Sequence, residues 1–111
     1  MEFSDKLKYD ENGLVPVIVQ DYMNNQVLML AYANKDAIDL MVKEKTAYYY
    51  SRSRQELWHK GDTSGHFQNV KEIYYDCDAD TVLIKVEQIG TACHTGKKSC
   101  FYRNDIDEEV F

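Results

Sequence analysis

The chain of 111 residues holds one proline, five glycines and three cysteines, and each scarcity closes off a class of structure. A single Pro16 and no Gly/Ser-rich tract exclude fibrous, low-complexity and multi-domain linker architectures, so one domain over residues 1–111 is expected. Three cysteines cannot all pair within one chain, which rules out a disulfide scaffold and leaves packing residues, reactive thiols or metal ligands. No run of 18 apolar residues exists to span a bilayer, and Met1-Glu2-Phe3-Ser4-Asp5 has neither a signal-peptide nor a transit-peptide pattern. A cytoplasmic protein with no membrane partner is the expectation. Positive charge is also short: 13 Lys plus Arg stand against 19 Asp plus Glu, a formal net charge of −6. That balance speaks against a general nucleic-acid binder, whose affinity comes from neutralising phosphates.

What is present is unevenly placed. No acidic residue lies between Glu87 and Asp105, and Lys97, Lys98 and Arg103 stand in that gap, where a small anion could be held locally. Leu14 to Gln20 and Val27 to Tyr32 read as two strands of a hairpin around Asn24-Asn25, with Pro16 suggesting an edge or bulged position. Asn34 can cap a helix over about 34–45, with Asp36 in its first turn, Ala37, Ile38, Met41 and Val42 as its apolar stripe, and Lys43 and Lys45 at its end. Strand patterns follow at Ala47 to Arg52, Phe67 to Tyr75 and Thr81 to Ile89. The fold expected is strand-dominated α+β, a small mixed-sheet or barrel-like domain with one main helix. Gly61, Gly65, Gly90 and Gly96 fall in the flanking loops, the first place to look for function.

Three constellations could carry chemistry. In Asp76-Cys77-Asp78-Ala79-Asp80 the carboxylates alternate; an extended backbone would put Asp76, Asp78 and Asp80 on one side and Cys77 on the other. Hard oxygen donors suit Mg²⁺ or Ca²⁺, but Thr81 stands where an EF-hand loop needs Gly, and a solvated acidic turn remains the alternative. Cys77, Cys93 and Cys100 are soft donors that could hold Zn²⁺ with one tetrahedral position left for water. No Cys-x-x-Cys pair exists, however, and three buried unreactive thiols fit the pattern too. His94 beside Cys93 could be a base or simply a hydrogen-bonded histidine. Finally, Ser51-Arg52-Ser53-Arg54 is followed by Leu57-Trp58-His59-Lys60-Gly61-Asp62-Thr63-Ser64-Gly65-His66. Arg forks, a lysine, hydroxyls and glycine amides suit phosphate oxygens, and Trp58 and Tyr48 to Tyr50 offer faces for a base or for the core.

Those blocks, with Gly13-Leu14-Val15-Pro16, Val27-Leu28-Met29-Leu30-Ala31-Tyr32 and Cys93-His94-Thr95-Gly96-Lys97-Lys98-Ser99-Cys100-Phe101-Tyr102-Arg103, closely resemble the phosphoribosyl-AMP cyclohydrolase family of histidine biosynthesis. The resemblance runs from near residue 13 to residue 103. Asp62 stands where members more often carry Glu, and Ala33 where Met is common. The resemblance implies an intertwined homodimer whose zinc, one per subunit, is bound by Cys77, Cys93 and Cys100 drawn from both subunits. It also implies one Mg²⁺ per subunit on Asp76, Asp78 and Asp80, a small nucleotide substrate, and hydrolysis of the N1–C6 bond of N1-(5-phosphoribosyl)-AMP by zinc-activated water. Some members are fused to the enzyme of the preceding step; with eight residues after Arg103, a single activity is expected here. On this reading His94 is the first candidate for the base and His66 the second. Arg52, Arg54, Trp58, Lys60, Lys97 and Lys98 are the candidate substrate contacts. Competing readings are an RNA- or nucleotide-binding module with a structural metal and a thiol redox protein; the acidic balance and the missing Cys-x-x-Cys speak against them.

Overall fold

The computed structural model describes residues 2–110; the ends of the expected domain, Met1 and Phe111, lie outside the described residues. After a 3-10 turn at Phe3–Lys6 come strands β1 (Val15–Asp21) and β2 (Val27–Ala33), helix α1 (Lys35–Glu44), and strands β3 (Tyr48–Ser51), β4 (Glu56–His59), β5 (Gln68–Tyr75) and β6 (Val82–Gln88). The main sheet has the order β2-β1-β6-β5, and β3 and β4 form a separate ribbon. β1 runs antiparallel to β2 and parallel to β6, so the sheet is mixed.

Alternation builds one face of the core. Val15, Val17 and Val19 of β1 and Val82, Ile84 and Val86 of β6 are fully buried, each contributing roughly 1.5–3 kcal/mol of burial. β-branched side chains at every second position suit the pleat, which is why these segments are strands. Helix α1 closes the core with Ala37, Ile38 and Met41. The Asn34 side chain accepts the Ala37 N–H at 2.9 Å, and Lys45 ends the helix in the left-handed region at φ 60, as expected for a capped ten-residue helix. Among the three consecutive tyrosines Tyr49 is fully buried; its hydroxyl donates to Gln68, whose amide donates to Gln88 at 2.7 Å.

Two expectations are corrected and one strand is added. There is no closed barrel among the described residues, because the β3–β4 ribbon joins the main sheet only near the start of β5, through Ala47 N–H to the Gln68 carbonyl at 2.9 Å and the Thr46–Asn69 bridge. Pro16 lies in an interior strand rather than at an edge; the pairing of β1 with β6 begins one residue later, at Val17, and the bulge in β1 falls at Val19/Gln20. Leu57-Trp58-His59, to which the sequence reading assigns no strand, belongs to strand β4 (Glu56–His59). Four residues beside a turn carry too little period-two signal to show as a strand.

Asp21 fixes the β1–β2 turn: it is 6% exposed, accepts the Met23 N–H at 2.8 Å and pairs with Lys98 at 2.9 Å. Desolvation would raise its pKa, but the bonds from Lys98 and from the Met23 and Asn24 backbone hold it below the usual carboxylate value. A depressed native pKa means stability that is complete above the unfolded value of about 4 and lost as pH falls through the native one. Asp21→Asn should therefore cost about 1 kcal/mol at pH 7. The gap to the parent should narrow as pH falls below the unfolded carboxylate value of about 4 in acid-dependent urea unfolding.

Candidate active site

Four segments meet around a cavity of about 920 Å³: the end of β2, the β3–β4 ribbon, the Lys60–His66 loop and the loop after β6. The last of these is shaped by its own backbone. Ala92 and Cys93 donate to the carbonyls of Lys98 and Lys97 at 3.1 and 3.2 Å, and Gly96 turns the chain at φ +87. Its far end is tied to β2, where Cys100 N–H donates to Leu28 at 2.7 Å and the Ser99 hydroxyl to the Val27 carbonyl at 2.7 Å. Cys93 and Cys100 are thereby brought side by side at the cavity wall.

Their thiols differ in environment. Thr95, whose hydroxyl is 3.0 Å from the Cys93 sulfur, holds the Cys93 thiol below its usual pKa, with Lys60 adding to the effect. Burial first, then the neighbouring Cys93, pushes Cys100 up to about 11. Cys100 favours ionisation of Cys93, while Cys93 holds Cys100 protonated; such a pair of adjacent soft donors suits a soft divalent cation.

The opposite wall is cationic and aromatic. Ser51 Oγ accepts from the Arg54 backbone and Nε at 3.3 Å each, fixing the ribbon turn. The Arg52 guanidinium lies 3.9 Å from the centroid of the Tyr32 ring and has no carboxylate partner among the described residues, whereas Arg54 pairs with Glu56 at 3.3 Å. Trp58 stacks near His94, centroids 6.2 Å apart and 25° between planes. His66 Nδ1 sits 3.3 Å from the Thr91 hydroxyl. Lys60, 4% exposed, turns inward.

The cavity thus gathers Arg52, Arg54, Trp58, Lys60, His66, Cys93, His94 and Cys100. Other candidates lie elsewhere. Lys97 pairs with Glu109 at 2.9 Å and Lys98 with Asp21; neither lines the cavity. Cys77 is exposed in the β5–β6 turn, and the eight residues of β5, at roughly 3.3 Å each, place it about 25 Å from the Cys93 end. Asp76, Asp78 and Asp80 bring ligand atoms within 4.8 Å of one another, the one such group of three among the described residues. They converge by a route other than the extended one expected: Asp76 Oδ1 accepts the Asp80 and Thr81 N–H groups at 3.1 and 3.2 Å, and Ala79 turns at φ +63. Asp76 is held below the usual carboxylate pKa, these backbone bonds outweighing a burial penalty. Asp78 is raised, chiefly by sharing a bond with Asp80 and then by burial.

Sequence reasoning missed the supports. His59 places Nδ1 2.8 Å from Asp62 and Nε2 3.2 Å from the Thr46 hydroxyl, and stacks on Tyr48 at 4.1 Å and 9°. It thereby ties the root of the Lys60–His66 loop to the ribbon. Thr91, Thr95 and Tyr32 also went unnoticed, since small polar and aromatic residues announce no role by type. The Thr in Cys93-His94-Thr95 was the one readable signal, a hydroxyl two residues from a thiol.

A family model described as phosphoribosyl-AMP cyclohydrolase matches residues 29–102. A phosphoribosyl-AMP cyclohydrolase of Clostridium beijerinckii is 60% identical over 93 residues, covering 84% of this chain and 85% of that protein. One from Archaeoglobus fulgidus is 58% identical over 105 residues, 95% of this chain and 97% of that one. The histidine biosynthesis bifunctional protein HisIE of Caldanaerobacter subterraneus is 58% identical over 105 residues, and the chain spans 51% of its length.

Gly61 tests the loop geometry: at φ +100 an added Cβ would lie 2.7 Å from the Phe67 backbone nitrogen. Gly61→Ala should cost about 1–3 kcal/mol by thermal or urea unfolding. Its neighbour Gly65, with open space around its Cβ position, should cost less on the same change.

Proposed function

The chain belongs to the phosphoribosyl-AMP cyclohydrolase family, and on that premise we propose that it hydrolyses the N1–C6 bond of the adenine ring in N1-(5-phosphoribosyl)-AMP, a step of histidine biosynthesis in the cytoplasm. The observation that carries the reading is the cavity in which adjacent cysteines face two arginines, a tryptophan and two histidines.

The donor sets fit the implied ions. Cys93 and Cys100 offer paired soft sulfur, and Cys77, at the far end of β5, would join them only from a second copy of the chain, so zinc would be held between subunits of a homodimer. Asp76, Asp78 and Asp80 offer clustered hard oxygens for Mg²⁺. When bound, zinc would supply Lewis acidity that brings the pKa of a water toward neutrality.

The chain's own residues do the rest. Alkylation at N1 polarises the ring amidine and makes C6 electrophilic. Water oxygen adds to C6, the N1–C6 bond breaks, N1 takes a proton and the exocyclic nitrogen stays as carboxamide, leaving a formimino linkage on the phosphoribosyl side. His94, next to Cys93 and steadied by Trp58, removes the water proton; His66, braced by Thr91, is the second candidate. Arg52, cushioned on Tyr32 and without a carboxylate partner among the described residues, binds phosphate oxygens, with Arg54 beside it. The aromatic wall at Trp58 faces the purine.

Zinc quantification on purified protein, run beside the absorbance change on phosphoribosyl-AMP, tests this reading. Cys93→Ala should lose both metal and turnover. His94→Ala should keep zinc while turnover falls ~10²-fold; unchanged turnover would remove His94 from the mechanism. Mixing inactive Cys77→Ala and Cys93→Ala proteins should restore part of the activity, because a mixed pair assembles one intact sulfur set. No recovery after co-refolding would place all three ligands in one chain.

A further inference from the structure

Lys60 combines three properties that do not suit a substrate contact. It is 4% exposed, and its ammonium makes no ion pair with any carboxylate among the described residues. Its hydrogen bond goes to the Ala92 carbonyl at 2.9 Å, and the Trp58 ring centroid lies 5.3 Å away. A carbonyl dipole and an aromatic face only partly offset the desolvation of an ammonium; a buried cation persists where negative charge faces it. The carbonyl that Lys60 reaches belongs to the residue before Cys93, and Lys60 lines the same cavity as Cys93 and Cys100; burial holds its pKa below the usual lysine value, and the two thiols are the groups that oppose that fall. Its backbone is fixed as well, the Lys60 N–H donating to Ala47 at 3.0 Å, with Gly61 turning the chain immediately after it.

We propose that Lys60 is the built-in counter-charge of the Cys93–Cys100 sulfur pair, a positioning residue for the metal centre and not a ligand for substrate phosphate. The inference rests on the zinc reading above. Three thiolates around a divalent ion carry one net negative charge, and one buried ammonium balances it. The same side chain ties Ala92, the residue before Cys93, to the Lys60–His66 loop, so charge and geometry arrive together. Phosphate recognition then falls to Arg52 and Arg54, whose side chains stand at the open ribbon turn.

Lys60→Met removes charge and hydrogen bond; Lys60→Gln removes the charge but keeps a donor for Ala92 and so guards against simple loop collapse. Arg54→Gln removes a cavity cation that touches neither sulfur. Each dimer is loaded with zinc, checked for native circular dichroism, and titrated with a chromogenic chelator. Lys60→Gln should release zinc at least 10-fold more readily than the parent, and Arg54→Gln should match the parent. Parent-like retention in Lys60→Gln, or equal loss in Arg54→Gln, would overturn the inference. Failure of the parent itself to hold stoichiometric zinc would sink the zinc reading instead, so the two failures are distinguishable.

Discussion

The cavity hangs on two hydrogen bonds at the free edge of β2. Ser99 and Cys100 donate to consecutive carbonyls, Val27 and Leu28, at 2.7 Å each. Each is worth about 1 kcal/mol net, yet together they decide where the loop after β6 goes. Without them the loop's own backbone bonds would still pair its two arms, but nothing would fix Cys93 and Cys100 against β2 and the cavity. The same bonds occupy part of an edge strand that would otherwise offer unpaired backbone groups to another chain.

Charge is arranged with similar economy. A protein of net charge −6 spends its lysines selectively: Lys97 and Lys98 are tied to Glu109 and Asp21, and Lys35 to Asp5 and Asp39. Arg52 is left with an aromatic ring for company, and Lys60 with the Ala92 carbonyl and the Trp58 ring. Local cationic character inside an acidic body lets a small anion approach, since screening in water hides the distant carboxylates more than the nearby guanidinium.

The strands and helix with regular periodicity were readable from the residues: β1 and β6 from alternating branched side chains, α1 from its cap and stripe, the Asn25 turn from the residue's tolerance of positive φ. Parts governed by long-range contact were not. β4 hides in four mixed residues, and the acidic trio meets through a turn that Asp76 organises rather than through strand alternation. Cys77 and Cys93 look like members of one set along the chain, but they stand at opposite ends of a hairpin. Lys60 reads as a phosphate contact until its burial beneath the Ala92 carbonyl is visible.

The β5–β6 hairpin acts as a ruler. It carries the carboxylate turn and Cys77 at one tip and leads into the Cys93 loop at the other, so the separation of two chemical stations is set by the number of residue pairs between them. Inserting or deleting one residue in either strand would reverse which side chains face the core and shift the tip by about 3.3 Å. The length of this ribbon is therefore constrained in a way that the side chains on its outer face are not, a restriction that falls on positions far from any reacting atom.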